Sequence, residues 1–129
     1  MKANWNLYND FEAREFDCKH TGKNLMKHSF LSKLQALRTA YGGRMIVASG
    51  YRDYSHPVEA KKNTKNGAHP TGLAADIAVD RGNAYRLLKL ALELGFTGIG
   101  IKQRGGNRFI HLDTIEGSIS QPRPTVWSY

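Results

Sequence analysis

Three short segments restrict the fold of this 129-residue chain more than any other feature. Residues 73–80 (LAADIAVD), 97–102 (TGIGIK) and 108–114 (RFIHLDT) each alternate large aliphatic residues with small or polar ones. Side chains point to opposite faces of a strand in turn, so this alternation assigns every residue to a face. Ala75, Ile77 and Val79 share one side of the first segment, and Ala74, Asp76 and Ala78 the other. In the last segment Ile110 and Leu112 oppose Phe109, His111 and Asp113, while Ile99 and Ile101 oppose Gly98 and Gly100 in the middle one. The simplest assembly turns all the aliphatic residues toward one layer. The opposite face then carries Asp76, His111 and Asp113 among alanines and glycines, as a cleft requires.

The rest of the chain supplies that covering layer. Residues 24–43 read as an amphipathic helix with Leu25, Phe30, Leu34 and Leu37 inward, ended by Gly42-Gly43. Residues 44–50 (RMIVASG) read as a short strand, and residues 56–64 as a short helix with Pro57 in its first turn. A second amphipathic helix is expected over 82–96, with Tyr85, Leu88, Leu92 and Phe96 inward. The last two of the opening segments, separated by QRGGN, form a β-hairpin pattern. The expected class is therefore α+β: one domain over 1–129, with a small antiparallel sheet, helices on one face and a cleft on the other.

Charge and cysteine content narrow the function. Nineteen Lys and Arg against eleven Asp and Glu give +8, which favours polyanionic partners: nucleic acid, anionic lipid or anionic cell wall, among which charge alone does not choose. The charge is spread, with small clusters at Lys61, Lys62 and Lys65 and at Lys102, Arg104 and Arg108, and no nucleic-acid-binding motif accompanies it. No specific nucleic-acid partner is expected. The single Cys18 excludes an internal disulfide and a cysteine zinc site, and reads as a small buried hydrophobe. No apolar run approaches the roughly 20 residues of a membrane span. The first residues lack the apolar core of a signal peptide, so synthesis as a soluble cytoplasmic chain is expected.

His69, Asp76 and His111 stand out as candidate metal ligands. A catalytic zinc takes three nitrogen or oxygen ligands and keeps a fourth position open. A loop histidine, a strand aspartate and a histidine on a second strand meet that need from separate elements. Taken singly, each has an ordinary alternative: an exposed loop histidine, or an aspartate paired with a nearby lysine. The helical H-E-x-x-H motif is absent, and GIGIKQRGG lacks the glycine spacing of a dinucleotide loop.

SGYR at 49–52, HPTGLAADI at 69–77 and FIHLDT at 109–114, in that order, resemble the zinc D-alanyl-D-alanine peptidases, which share a fold with the Hedgehog signalling domain. EFDCKHTGKN near the start and RPTVWSY at the end resemble the short single-domain members found in bacteriophages. The resemblance implies a zinc ion on His69, Asp76 and His111, with Arg52 binding substrate and stabilising the oxyanion. It implies that Gly72 lets the backbone turn close to the metal. The implied activity is hydrolysis of peptidoglycan stem peptides or cross-links beside D-amino acids. The implied setting is phage lysis, endolysin-fashion, or a virion component acting at the bacterial wall.

Three positions depart from the family pattern. Many relatives carry an acid three residues before the last histidine, where this chain has Arg108. Many carry serine two residues before the first, where it has Gly67, and some carry histidine where it has Phe109. Asp113 then has two readings: general base, or a carboxylate that orients a ligand. His56 is a candidate for the cleft wall, or a residue at a helix start. The missing acid also leaves open a non-catalytic, zinc-stabilised binding module.

Overall fold

The computed structural model describes residues 2–62 and 67–129. Helix α1 spans His28–Tyr41 and ends where Gly42 takes the left-handed conformation (φ 71°), its N–H donating to the Arg38 carbonyl. Phe30, Leu31, Leu34, Leu37 and Tyr41 form its buried stripe. Leu25 is not part of it: Met26 N–H donates to the Asn24 side chain in a turn before the helix, and Leu25 is left exposed.

Strand β1 (Ile46–Ser49) leads to the short helix α2 (Pro57–Ala60), with Pro57 in its first turn. Asn63, Thr64, Lys65 and Asn66 lie outside the described residues. A 3-10 turn at His69–Thr71 then feeds β2 (Ala74–Ala78). Helix α3 (Arg81–Glu93) crosses back, and β3 (Gly98–Lys102) and β4 (Phe109–Asp113) form the expected antiparallel hairpin.

The buried stripe of α3 is Ala84, Leu87 and Ala91, whereas Tyr85 and Leu92 are 75% and 60% exposed. The stripe is rotated by one residue from the face expected on side-chain size. Helix α3 packs against α1 and β4, and the small alanines in its buried stripe permit a close approach. Phe96 is buried as expected, edge-on to Phe30 at 6.2 Å.

The sheet order is β1-β2-β4-β3-β5. It is antiparallel except at β5 (Thr125–Ser128), which runs parallel to β3 and makes the sheet mixed. That strand follows a proline-rich stretch, and its four residues alternate, with Thr125 and Trp127 half-buried and Val126 and Ser128 exposed. Ala75, Ile77, Ile99, Ile110 and Leu112 join the helices in one core, so the face assignment from alternation holds across the central strands. Tyr8, Phe11, Phe16 and Cys18 from the N-terminal segment close that core. No helix among the described residues is long and apolar enough to cross a membrane.

Candidate metal centre

Strand register sets the site. Asp76 on β2 stands opposite His111 on β4, and Gly100 on β3 flanks His111 on the other side. Asp113 lies between Ala74 and Gly98 in the same way. His69 arrives from the 3-10 turn before β2, and Gly72 turns the chain back into the strand at φ 75°.

A Cβ on Gly72 would overlap the Leu25 carbonyl, so this glycine is required both by conformation and by space. It shapes the loop between two candidate ligands without lining the cavity. Gly72→Ala is expected to cost at least about 2 kcal/mol, since the left-handed region alone disfavours alanine by roughly 1–2 kcal/mol. Thermal denaturation checks this, with a fall in Tm on the order of 10 °C.

His69, Asp76 and His111 are all buried, and one ligand atom from each lies within 4.8 Å of the others. His69 Nδ1 is 2.7 Å from the Gly50 carbonyl, which can only accept; the ring therefore donates there and turns Nε2 toward Asp76 Oδ1, 3.4 Å away. His111 Nδ1 lies 3.0 Å from the same Asp76 oxygen, and its Nε2 lies 2.8 Å from Asp113 Oδ2. Both histidines thus have one nitrogen anchored on an outer acceptor and the other aimed at Asp76. Metal-binding histidines commonly hold their second N–H in this way. The donor set fits a divalent metal: two imidazole nitrogens and one carboxylate, buried but open to a cavity.

The electrostatics agree with the geometry. Burial alone would keep Asp76 protonated, but hydrogen bonds from His111 and His69 outweigh it and hold the carboxyl well below its usual range. Burial likewise opposes charge on His111, and hydrogen bonds to Asp113 and Asp76 overcome it, raising its pKa. Asp113 is held ionised against burial by His111 and Arg123.

A cavity of about 620 Å3 opens beside this group. Arg52 reaches it from the segment after β1, its Nη2 3.7 Å from Asp76 Oδ2 and its Nη1 3.4 Å from Glu59 Oε2. Phe109, Trp127 and Tyr129 supply aromatic wall, and Lys62 and Arg123 also line it. Among the described residues, Asp76 is the only carboxylate lining the cavity.

The sequence candidates therefore divide. His69, Asp76, His111 and Arg52 come together at the cavity. Asp113 supports them from behind: it is fully buried, and its oxygens accept from His111, Arg123 and the Ile115 N–H. His56 caps α2, its Nδ1 accepting from Val58 N–H, and does not line the cavity. Arg108 bonds the Gly105 carbonyl, away from the cavity.

Sequence reasoning did not single out Glu59, Arg123, Trp127 or Tyr129. Glu59 is buried against Arg52 and Lys62, and a Cβ on Gly67 would overlap its carboxylate. The space that a serine side chain would take at position 67 is thus filled by Glu59. The bare glycines on β3 were the available signal for Trp127, since a glycine in a strand marks close approach of another group.

Comparison with known proteins places this geometry in a family. The family model described as Peptidase M15 matches residues 7–113, which hold all four residues gathered at the cavity. No curated protein matches the chain.

Proposed function

The chain belongs to the peptidase M15 family of metallopeptidases, and on that premise we propose that it is a zinc peptidase hydrolysing peptidoglycan stem peptides or cross-links beside D-amino acids. It would act as a D,D-carboxypeptidase or endopeptidase at the bacterial wall, in phage lysis or as part of a virion. The observation that carries this reading is the buried His69, Asp76 and His111 group, pre-oriented by Gly50 and Asp113 and opening on a cavity beside Arg52.

Zinc held by His69 Nε2, Asp76 and His111 Nδ1 would supply a Lewis acid that activates water near neutral pH and polarises a carbonyl. The chain's own groups supply the rest. Glu59 holds one edge of the Arg52 guanidinium, so its remaining N–H groups present a fixed, permanently charged donor to a carbonyl oxygen gaining negative charge. His111 Nε2 donates its N–H to the Asp113 carboxylate, which fixes the ring. We assign Asp113 this orienting role in preference to general base. Phe109, Trp127 and Tyr129 give a peptide an apolar wall and exclude water. The net charge of +8 supports attraction to anionic wall polymers.

Protonation of His111 sets the pH dependence of metal uptake. Its raised pKa means that the metal-free form keeps a proton on Nδ1 above the usual histidine range. Zinc must displace that proton, so apparent affinity rises with pH and levels off above the raised value. Calorimetric titration at pH 6.5 in two buffers of different ionisation enthalpy should show net proton release on zinc binding.

A non-catalytic, zinc-stabilised binding module is the second reading, favoured by the lack of another carboxylate on the described cavity wall. Mass spectrometry of purified muropeptides after incubation with zinc-loaded protein separates the two, with His69→Ala as the control. Loss of a terminal alanine, or a split stem or cross-link, with wild type alone supports the peptidase and identifies the bond. Intact muropeptides with zinc bound favour the module.

A further inference from the structure

We propose that Arg123 is a positioning residue for the metal centre: it clamps Asp113, Asp113 fixes His111, and the C-terminal strand thereby becomes part of the site. The inference rests on the reading of His69, Asp76 and His111 as metal ligands. It concerns residues beyond Asp113, where the family match ends.

The clamp is a two-point ion pair. Arg123 Nε donates to Asp113 Oδ1 at 2.9 Å and Nη2 donates to Oδ2 at 2.7 Å. The third nitrogen, Nη1, donates to the Pro122 carbonyl at 2.8 Å, which fixes the guanidinium plane. The Arg123 and Asp113 side chains are 8% and 0% exposed, so the pair is largely shielded from water. The Oδ2 that receives Nη2 also receives His111 Nε2. Rotation of the Asp113 carboxylate would therefore turn the His111 ring and move Nδ1 from Asp76.

Trp127 adds a second restraint. Its ring packs on His111 with centroids 5.0 Å apart, and the Arg123 guanidinium lies 5.2 Å from the indole centroid. The sheet is cut away to receive this arrangement. A Cβ on Gly98 would overlap the Asp113 carboxylate, one on Gly100 would overlap the Trp127 indole, and one on Gly117 would overlap the Arg123 backbone. Two glycines read from the sequence as space for a ligand are thus occupied by the device that holds His111.

Anchoring of the tail does not itself require the ion pair. The strand is held independently by its pairing with β3 and by Thr125 and Tyr129 N–H groups donating to the Thr97 and Ile101 carbonyls. The guanidinium on Asp113 is left with a local task, and a bidentate fork performs it better than a lysine ammonium.

The test is zinc affinity of the full chain by competition with a chromogenic chelator, for wild type, Arg123→Lys and Arg123→Ala. The visible spectrum of the cobalt-loaded forms and thermal melting of the metal-free forms accompany it. Arg123→Ala is expected to weaken zinc binding by about 10–100-fold, with Arg123→Lys restoring part of the loss. The cobalt ligand-field bands should shift in both. Arg123→Ala leaves a buried carboxylate unpaired and is the variant at risk of not folding. Arg123→Lys keeps a cation there and decides the matter alone in that case. Arg123→Lys that is folded, binds zinc as wild type does and gives an unchanged cobalt spectrum overturns the proposal. Wild-type protein that binds neither ion removes the metal centre itself, and with it this inference.

Discussion

Asp76→Asn is expected to abolish zinc retention at micromolar concentration and to lower peptide hydrolysis by about a thousandfold or more, equivalent to roughly 4 kcal/mol in the barrier. Asp76 is the node of the site. Its Oδ1 lies 3.4 Å from His69 Nε2 and 3.0 Å from His111 Nδ1, so one oxygen faces both rings, which also pack edge-on with centroids 5.2 Å apart. The amide keeps the shape but removes the negative charge that attracts a divalent ion. Asp76 is also held ionised in spite of its burial, so the metal-ready charge state is already in place. Elemental analysis after dialysis and a muropeptide cleavage assay would check both parts. An Asp76→Asn protein that keeps one zinc per chain and cleaves normally would remove Asp76 from the site.

Arg52→Ala is expected to reduce kcat by about 10²–10³-fold, the usual effect of removing one donor from a developing oxyanion. Arg52 is built into the cavity wall between Glu59 and Asp76, its side chain 20% exposed. Its contribution is directional as well as electrostatic, so Arg52→Lys should recover only part of the loss. Zinc content should stay near one per chain, because Arg52 is outside the ligand set. Steady-state kinetics on a defined muropeptide would separate the cases. A change confined to KM would make Arg52 a ground-state binding group, not an oxyanion donor.

Strand alternation carried much of this architecture in the sequence. Asp76, His111 and Asp113 are fixed to one sheet face by residue parity, and strand register then sets Asp76 directly opposite His111. Packing detail was less legible. The α3 stripe uses Ala84 and Ala91, which carry little hydrophobic signal but allow close approach, so ranking by size rotated the helix toward Tyr85 and Leu92. Strand β5 is short and follows prolines, and its place beside β3 depends on a parallel return that no local pattern announces.

The candidate site shows the same division. The grouping of His69, Asp76 and His111 could be anticipated as a candidate ligand set, because metal binding demands those residue types, and the three side chains do come together. The function of Asp113 could not, since a carboxylate two residues from a histidine suits either proton transfer or orientation. Its burial and its contacts with Arg123 and His111 are tertiary facts, and they are what support the orienting role proposed for it. Glu59 gave no signal at all, because its importance comes from tertiary contact with Arg52.

The most direct test of a metal-dependent peptidase is cleavage of purified muropeptides by the wild-type chain before chelation, after chelation and after re-addition of one equivalent of zinc. Cleavage is expected to disappear with the metal and return with it, while circular dichroism shows the chain still folded. Cleavage that continues at full rate in protein shown to be metal-free would contradict this expectation.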